Sequence, residues 1–204
     1  MSCKGTCILV ILLWVTYISS GCRCFTQHPQ RIFCREDSVV LVGRVIKKEI
    51  PKGGDMIKYH FKLLKSLKGV HETIGSTIII ETYSTSSMCG VRFMAVGEQY
   101  VLSGRRDKKT GRIFTKTCGN FIYKITDVTF ELMLYLFSGG SDSYVQNCDC
   151  KEIVNPRHEP GKFDSSKGCQ LPSALKADTD CYRKQGLCKR TGSVCSWKNA
   201  DCGP

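Results

Sequence analysis

The chain has 204 residues, 14 cysteines and a formal net charge of +12. That length suits one modest domain with a smaller one beside it, and the excess of Lys and Arg makes a surface that suits sulfated glycans as well as simple solvation. An apolar run from Ile8 to Val15, preceded by Lys4 and followed by Ser19, Ser20 and Gly21, has the charged start, greasy centre and small-residue exit of a secretory signal peptide. It falls short of the roughly 20 residues needed to span a bilayer, and no later stretch comes closer. The expectation is a leader over 1–21 and a secreted, extracellular monomer that starts at Cys22, with no membrane span and no nucleic-acid partner. Cys3 and Cys7 leave with the leader. The twelve cysteines that remain are an even number in an oxidising compartment, which reads as a disulfide framework with no odd thiol kept for catalysis.

In chain order, a short helix is predicted near Gln30 to Glu36. "SVVLVGRVIKKEI" (38–50) is rich in β-branched residues and reads as a strand. "IKYHFKLLKSLKG" (57–69) alternates, with Ile57, Tyr59, Phe61 and Leu63 on one face and Lys58, His60 and Lys62 on the other, the pattern of a half-buried antiparallel strand with His60 toward solvent. "STIIIETY" (76–83), "GEQYVLSG" (97–104) and "GRIFTKTC" (111–118) supply three more β segments, and five such strands suggest a small closed barrel. In "TDVTFELMLYLFSGG" a second helix is predicted, capped by Thr126 or Asp127 and ended by Gly139, although "LMLYLF" also fits a strand. A composition shift comes at "CDCKE": from Cys150 onward apolar runs are scarce while six of the twelve cysteines fall there, so disulfides must hold that part. The expected division is 22–149 and 150–204. Cys181, Cys188, Cys195 and Cys202 recur every seven residues, but the glycines and charges between them exclude a coiled coil, and secretion favours disulfides over zinc.

"CRC" at Cys22 to Cys24, "HPQRIFC" (28–34), "VVLVGRV" (39–45), "SSMCGV" (86–91) and "CDC" at Cys148 to Cys150 together resemble the tissue inhibitors of metalloproteinases, over essentially the whole chain after the leader. The resemblance implies a mainly β fold with small helices: a five-stranded OB-fold barrel of the netrin-like type plus a small disulfide-rich C-terminal domain. It implies disulfides joining Cys22 to Cys89, Cys24 to Cys118 and Cys34 to Cys148. "LCKRTGSVCSW" (187–197) is similar to the family's ending and points to Cys150 with Cys195 and Cys181 with Cys188, which leaves Cys169 with Cys202 by elimination. The implied role is inhibition of zinc metalloproteinases. An N-terminal amine has a pKa of about 7.7 to 8.0 and is a competent metal ligand when neutral. The amine and carbonyl of Cys22 would take the position that a catalytic zinc keeps open for water. Cys22, Arg23, Cys24, Phe25 and Thr26 would lie along the cleft, with Ser86, Ser87, Met88 and Cys89 on the other side of the zinc. The chain needs no cofactor of its own; the zinc is the target's.

Two positions depart from the family pattern. Arg23 stands where a small Thr or Ser enters the main specificity pocket, and burying an unpaired guanidinium costs several kcal/mol, so the target range should narrow toward deep pockets where the stem can lie along the wall. Thr26 stands where Pro is common, which makes a less stiff ridge. Plainer roles suit the remaining conspicuous residues. His28, with no second ligand spaced nearby, reads as a packing or hydrogen-bonding residue; the basic stretch Arg105 to Arg112 as a solvated hairpin tip; Trp197 as a cover for the cysteine-rich part. No N-x-S/T acceptor occurs, and neither nucleophile elbow nor phosphate loop supports an enzyme. The rival reading is a netrin-like module that binds matrix or growth factors and inhibits nothing. Retention of a single residue ahead of Cys22 would convert the amine to an amide and enforce it.

Overall fold

The computed structural model describes residues 22, 24–161, 163–172, 176–198 and 202, without the side chains of 176–179. The expected leader, 1–21, and Arg23 lie outside the described residues. The elements run α1 (Pro29–Phe33), β1 (Ser38–Glu49), β2 (Met56–Lys68), β3 (Thr77–Tyr83), β4 (Gln99–Arg106), β5 (Ile113–Phe114), β6 (Ile122–Lys124), α2 (Phe130–Phe137), α3 (Lys176–Gln185), β7 (Leu187–Thr191) and β8 (Val194–Lys198).

The first five strands close on themselves. β1 pairs antiparallel with both β2 and β4, β3 pairs with β5 in parallel, and β5 returns to β4, so the ring runs β1-β2-β3-β5-β4 and back to β1. This is a five-stranded OB-type barrel. β1 serves two neighbours because it curls: its register against β2 shifts between Val40 and Leu41, between Val42 and Gly43, and between Val45 and Lys47. A Cβ at Gly43 would stand 2.9 Å from the Phe61 ring, so glycine permits the close crossing.

The alternation in β2 puts Ile57, Tyr59, Phe61 and Leu63 inside the barrel, none more than 1% exposed, beside Leu41, Val45, Ile78, Ile80 and Leu102. Each such side chain contributes about 1.5–3 kcal/mol by leaving water. β1 reads as a continuous apolar run because both its faces are covered. Val39 and Leu41 enter the barrel, while Val40 and Val42 join a second cluster with Ile32, Phe33, Leu132, Tyr135 and Leu136 under the helices.

"LMLYLF" is helical: Leu132, Tyr135 and Leu136, spaced i, i+3, i+4, are the buried face of α2. Its cap is Thr129, whose Oγ1 accepts the Leu132 amide at 3.3 Å, rather than Thr126 or Asp127, which form a 3-10 turn; Ser138 closes the helix ahead of Gly139. "GRIFTKTC" is strand only at Ile113–Phe114, because the chain then leaves the sheet: the Thr117 amide donates to Cys89 O at 2.9 Å and Cys118 is bonded to Cys24. The three-residue strand β6 was not anticipated.

The terminal lobe is α3, the β7–β8 hairpin and a small core of Cys150, Ile153, Cys169, Leu171, Cys188 and Cys195, flanked by Tyr182 and Trp197. Cys150 pairs with Cys195, but the other two pairings differ from expectation: Cys169 is bonded to Cys188 and Cys181 to Cys202, at Cα separations of 5.9 and 5.5 Å. The reason is strand alternation after the helix ends. Leu187 and Cys188 point to opposite faces, Leu187 into the cluster beside the barrel and Cys188 into the terminal core where Cys169 waits. Cys181, back on α3, is left to meet Cys202.

Candidate functional site

Between Cys22 and His28 the described chain forms neither helix nor strand, and its ends are fixed by different means. At one end Cys22 is bonded to Cys89 and Cys24 to Cys118, with Cα separations of 5.1 and 5.3 Å. The two bridges pack together: Cys118 Sγ lies 3.1 Å from Cys22 Sγ and 3.2 Å from Cys89 Sγ. At the other end His28 caps α1, its Nδ1 accepting the Gln30 amide at 3.2 Å, with Pro29 in the first turn where no amide is needed.

The loop after β3 is built to present its tip. The Cys89 amide donates to Ser86 O and the Gly90 amide to Thr85 O, each at 3.0 Å, and the Val91 amide donates to the buried Thr82 hydroxyl at 2.9 Å. Cys89 sits at φ 59°, a left-handed conformation that costs a non-glycine residue about 1–3 kcal/mol and persists because the bridge and these hydrogen bonds over-determine it. A Cβ at Gly90 would stand 2.0 Å from Tyr83 O, so only glycine closes the loop. Thr85 to Met88 are left exposed.

Cys22 is thus tied to Cys89 on the loop that carries Ser86, Ser87 and Met88, and Cys24 to Cys118, while Phe25 is 65% and Met88 44% exposed. Exposed apolar side chains held on a cross-linked backbone are a pre-organised contact surface, which loses little ordering entropy on binding. Arg35 donates to Gly119 O, next to Cys118, and so helps fix the stretch that receives Cys24.

Among the described residues no resident metal fits here. Sulfurs of Cys22, Cys24 and Cys118 lie close enough to suggest a cluster, as do those of Cys150, Cys188 and Cys195, but all six are half-cystines and offer no thiolate. His28 is 1% exposed and both its ring nitrogens are engaged, Nε2 donating to Tyr182 O at 3.0 Å while Nδ1 accepts. Burial pushes its imidazole down to about 4, so it stays neutral. At the basic hairpin tip Arg105, Arg106 and Arg112 are paired with Asp37, Glu72 and Glu81, and Asp107 accepts the Lys109 and Thr110 amides, while Lys108 and Lys109 are exposed. Trp197 packs on Tyr182 and His28, with ring centroids 5.1 and 5.2 Å apart, and covers the junction of the two lobes. One neighbour of the site had no signal in the sequence: His158, in the Pro- and Gly-containing stretch after Cys150, stacks on Phe25.

Among the described residues no helix is long and apolar enough to cross a membrane. A family model described as "Tissue inhibitor of metalloproteinase" matches residues 20–197. Metalloproteinase inhibitor 3 of Xenopus laevis is 29% identical over 197 residues, covering 94% of this chain and 87% of that protein. Metalloproteinase inhibitor 3 of Scyliorhinus torazame is 30% identical over 167 residues, covering 81% and 68%, and that of Gallus gallus is 28% identical over 186 residues, covering 88% and 82%. With that match spanning most of its length, and a barrel whose cross-linked N-terminal segment lies beside a strained loop, the chain belongs to the tissue inhibitor of metalloproteinase family, whose members inhibit proteases and are not themselves enzymes.

Proposed function

We propose that the protein is secreted, begins at Cys22, and inhibits zinc metalloproteinases by seating the α-amino nitrogen and carbonyl oxygen of Cys22 on the target's catalytic zinc. The observation that carries this reading is the pair of packed bridges, Cys22 to Cys89 and Cys24 to Cys118, which ties the first and third residues of the mature chain to two separate loops. A ligand held this way needs no ordering when it meets the metal, and it displaces the water that would attack substrate. Cys24, Phe25 and Thr26 would follow one side of the cleft, and Ser86, Ser87 and Met88 the other. Arg23 would enter the specificity pocket and favour deep ones, where its charge can reach water or a carboxylate. In the same reading 22–149 is the inhibitory domain and 150–204 a second, disulfide-rich one, and exposed Lys108 and Lys109 offer charge to sulfated glycans of the matrix.

The test is titration of a panel of metalloproteinase catalytic domains with the secreted protein, its first residue established by mass spectrometry, beside the same protein carrying one alanine ahead of Cys22. The added residue turns the amine into an amide and should weaken inhibition by about a thousandfold or more, ~4 kcal/mol at 1.4 per decade. Equal potency of the two forms would sink chelation, and inhibition of no enzyme by a chain starting at Cys22 would favour a binding module. In the same panel Arg23→Thr should extend inhibition to shallow-pocket enzymes; unchanged constants across the panel would remove the role given to Arg23.

A further inference from the structure

Phe25 stands on the exposed ridge, yet its ring does not project freely. It stacks on the imidazole of His158, with centroids 3.6 Å apart and planes inclined by 29°. His158 belongs to the terminal lobe, in a turn organised by Asn155: the Asn155 carbonyl accepts the His158 and Glu159 amides at 3.0 and 2.9 Å, and its Oδ1 accepts the Arg157 amide at 3.1 Å. That turn is fastened to α1. The Arg31 guanidinium donates to both carboxylate oxygens of Glu159, at 2.8 and 3.1 Å, and to Ile153 O at 3.0 Å. Such a bidentate pair fixes direction as well as distance.

The ridge is therefore supported at both ends and between them. The bridge at Cys24 holds one end, the cap at His28 holds the other, and Phe25 between them rests on a side chain more than a hundred residues away in the chain. Phe25 and Thr26 line one wall of a small cleft whose other wall is Ile153, Asn155 and His158. Thr26 leaves the backbone here freer than a proline would, and a face-on contact from a rigidly tethered ring is one way to restore a single course.

We propose that His158 is a positioning residue of the inhibitory ridge: by stacking on Phe25 it sets the path of Phe25 and Thr26, so that the terminal lobe contributes to inhibition without reaching the target's zinc. The inference rests on reading residues 22–26 as the segment that enters the cleft. An aromatic pair of this kind is worth a factor of about two to ten in an equilibrium.

The experiment uses the full chain and a metalloproteinase catalytic domain that the unmodified protein inhibits, with thermal midpoints measured alongside. His158→Ala should raise the inhibition constant about three- to tenfold with little change in midpoint, and His158→Phe, which keeps a flat ring, should restore it. In a Phe25→Ala background His158→Ala should add nothing, because the partner is gone. An inhibition constant for His158→Ala within about twofold of the unmodified protein's would overturn the proposal, since no useful stack is worth less. A loss that His158→Phe fails to recover would overturn it as well, by marking general disruption of the turn. If the unmodified chain inhibits no enzyme, the reading of the ridge falls and this inference with it, an outcome distinct from potent inhibition indifferent to His158.

Discussion

The barrel and the terminal lobe of this molecule are held by different physics. In the barrel, five strands close around a core of aliphatic and aromatic side chains, and the bridges at Cys22, Cys24 and Cys34 add to a structure that burial already supports. In the terminal lobe four of the six core residues are half-cystines, so the cross-links are themselves much of the core. A barrel of the first kind can carry a strained loop such as that at Cys89, because neighbouring burial offsets the cost. A lobe of the second kind offers little cooperative stability of its own, and it leans on the barrel: Gln30 on α1 accepts the Cys188 amide at 2.9 Å and donates to Cys188 O at 2.7 Å, and Leu187 is buried in the barrel-side cluster.

The largest expected effect breaks the barrel side of this contrast. Phe61→Ala removes a fully buried ring and should cost about 3–5 kcal/mol, read as a lower urea midpoint with loss of inhibition, since ridge and barrel unfold together. A smaller change belongs to the lobe. Replacing Cys181 and Cys202 together by alanine opens a loop of sequence separation 21 and should cost about 3 kcal/mol in the chain-entropy estimate. Amide exchange should rise mainly beyond Cys150, and loss of protection throughout the barrel would show that the two regions are one cooperative unit.

The smallest effect sharpens the junction. His28 is neutral in the folded protein, with its imidazole lowered from 6.5 to about 4 by burial. Between those values the unfolded chain binds a proton that the folded chain refuses, so stability from this residue is complete above about pH 6.5 and declines as pH falls toward 4. The decline should amount to about 2–3 kcal/mol and should be absent in His28→Asn, which keeps a capping side chain. Parallel pH profiles of the two proteins in urea unfolding would remove His28 from the account.

Much of the barrel was legible in the residues. The alternation from Ile57 to Leu63 states which face is inside, and the β-branched run of β1 states that both faces are covered. Where the reading slipped, two local signals competed and a distant contact chose. "TDVT" holds more than one capping residue, and the start at Thr129 is the one that turns Leu132, Tyr135 and Leu136 inward. "GRIFTKTC" has the composition of a strand, but its second half is drawn off the sheet to Cys89 and Cys24. In the terminal lobe, cysteines at equal spacing carry no information about pairing, and the family-like ending points Cys181 to Cys188 where the fold joins Cys181 to Cys202.

By itself the sequence determined the things that local pattern encodes: a β barrel, a cysteine-rich second part, and bridges that resemblance could assign where the motifs were dense. Only the tertiary structure decided that Cys188 faces Cys169, that Cys89 is held left-handed, and that Phe25 lies on His158. Each of those depends on which segments meet after the chain has collapsed. A single residue's type and spacing report its preference for water or for a backbone angle, whereas its partner is set by the packing of every element between them.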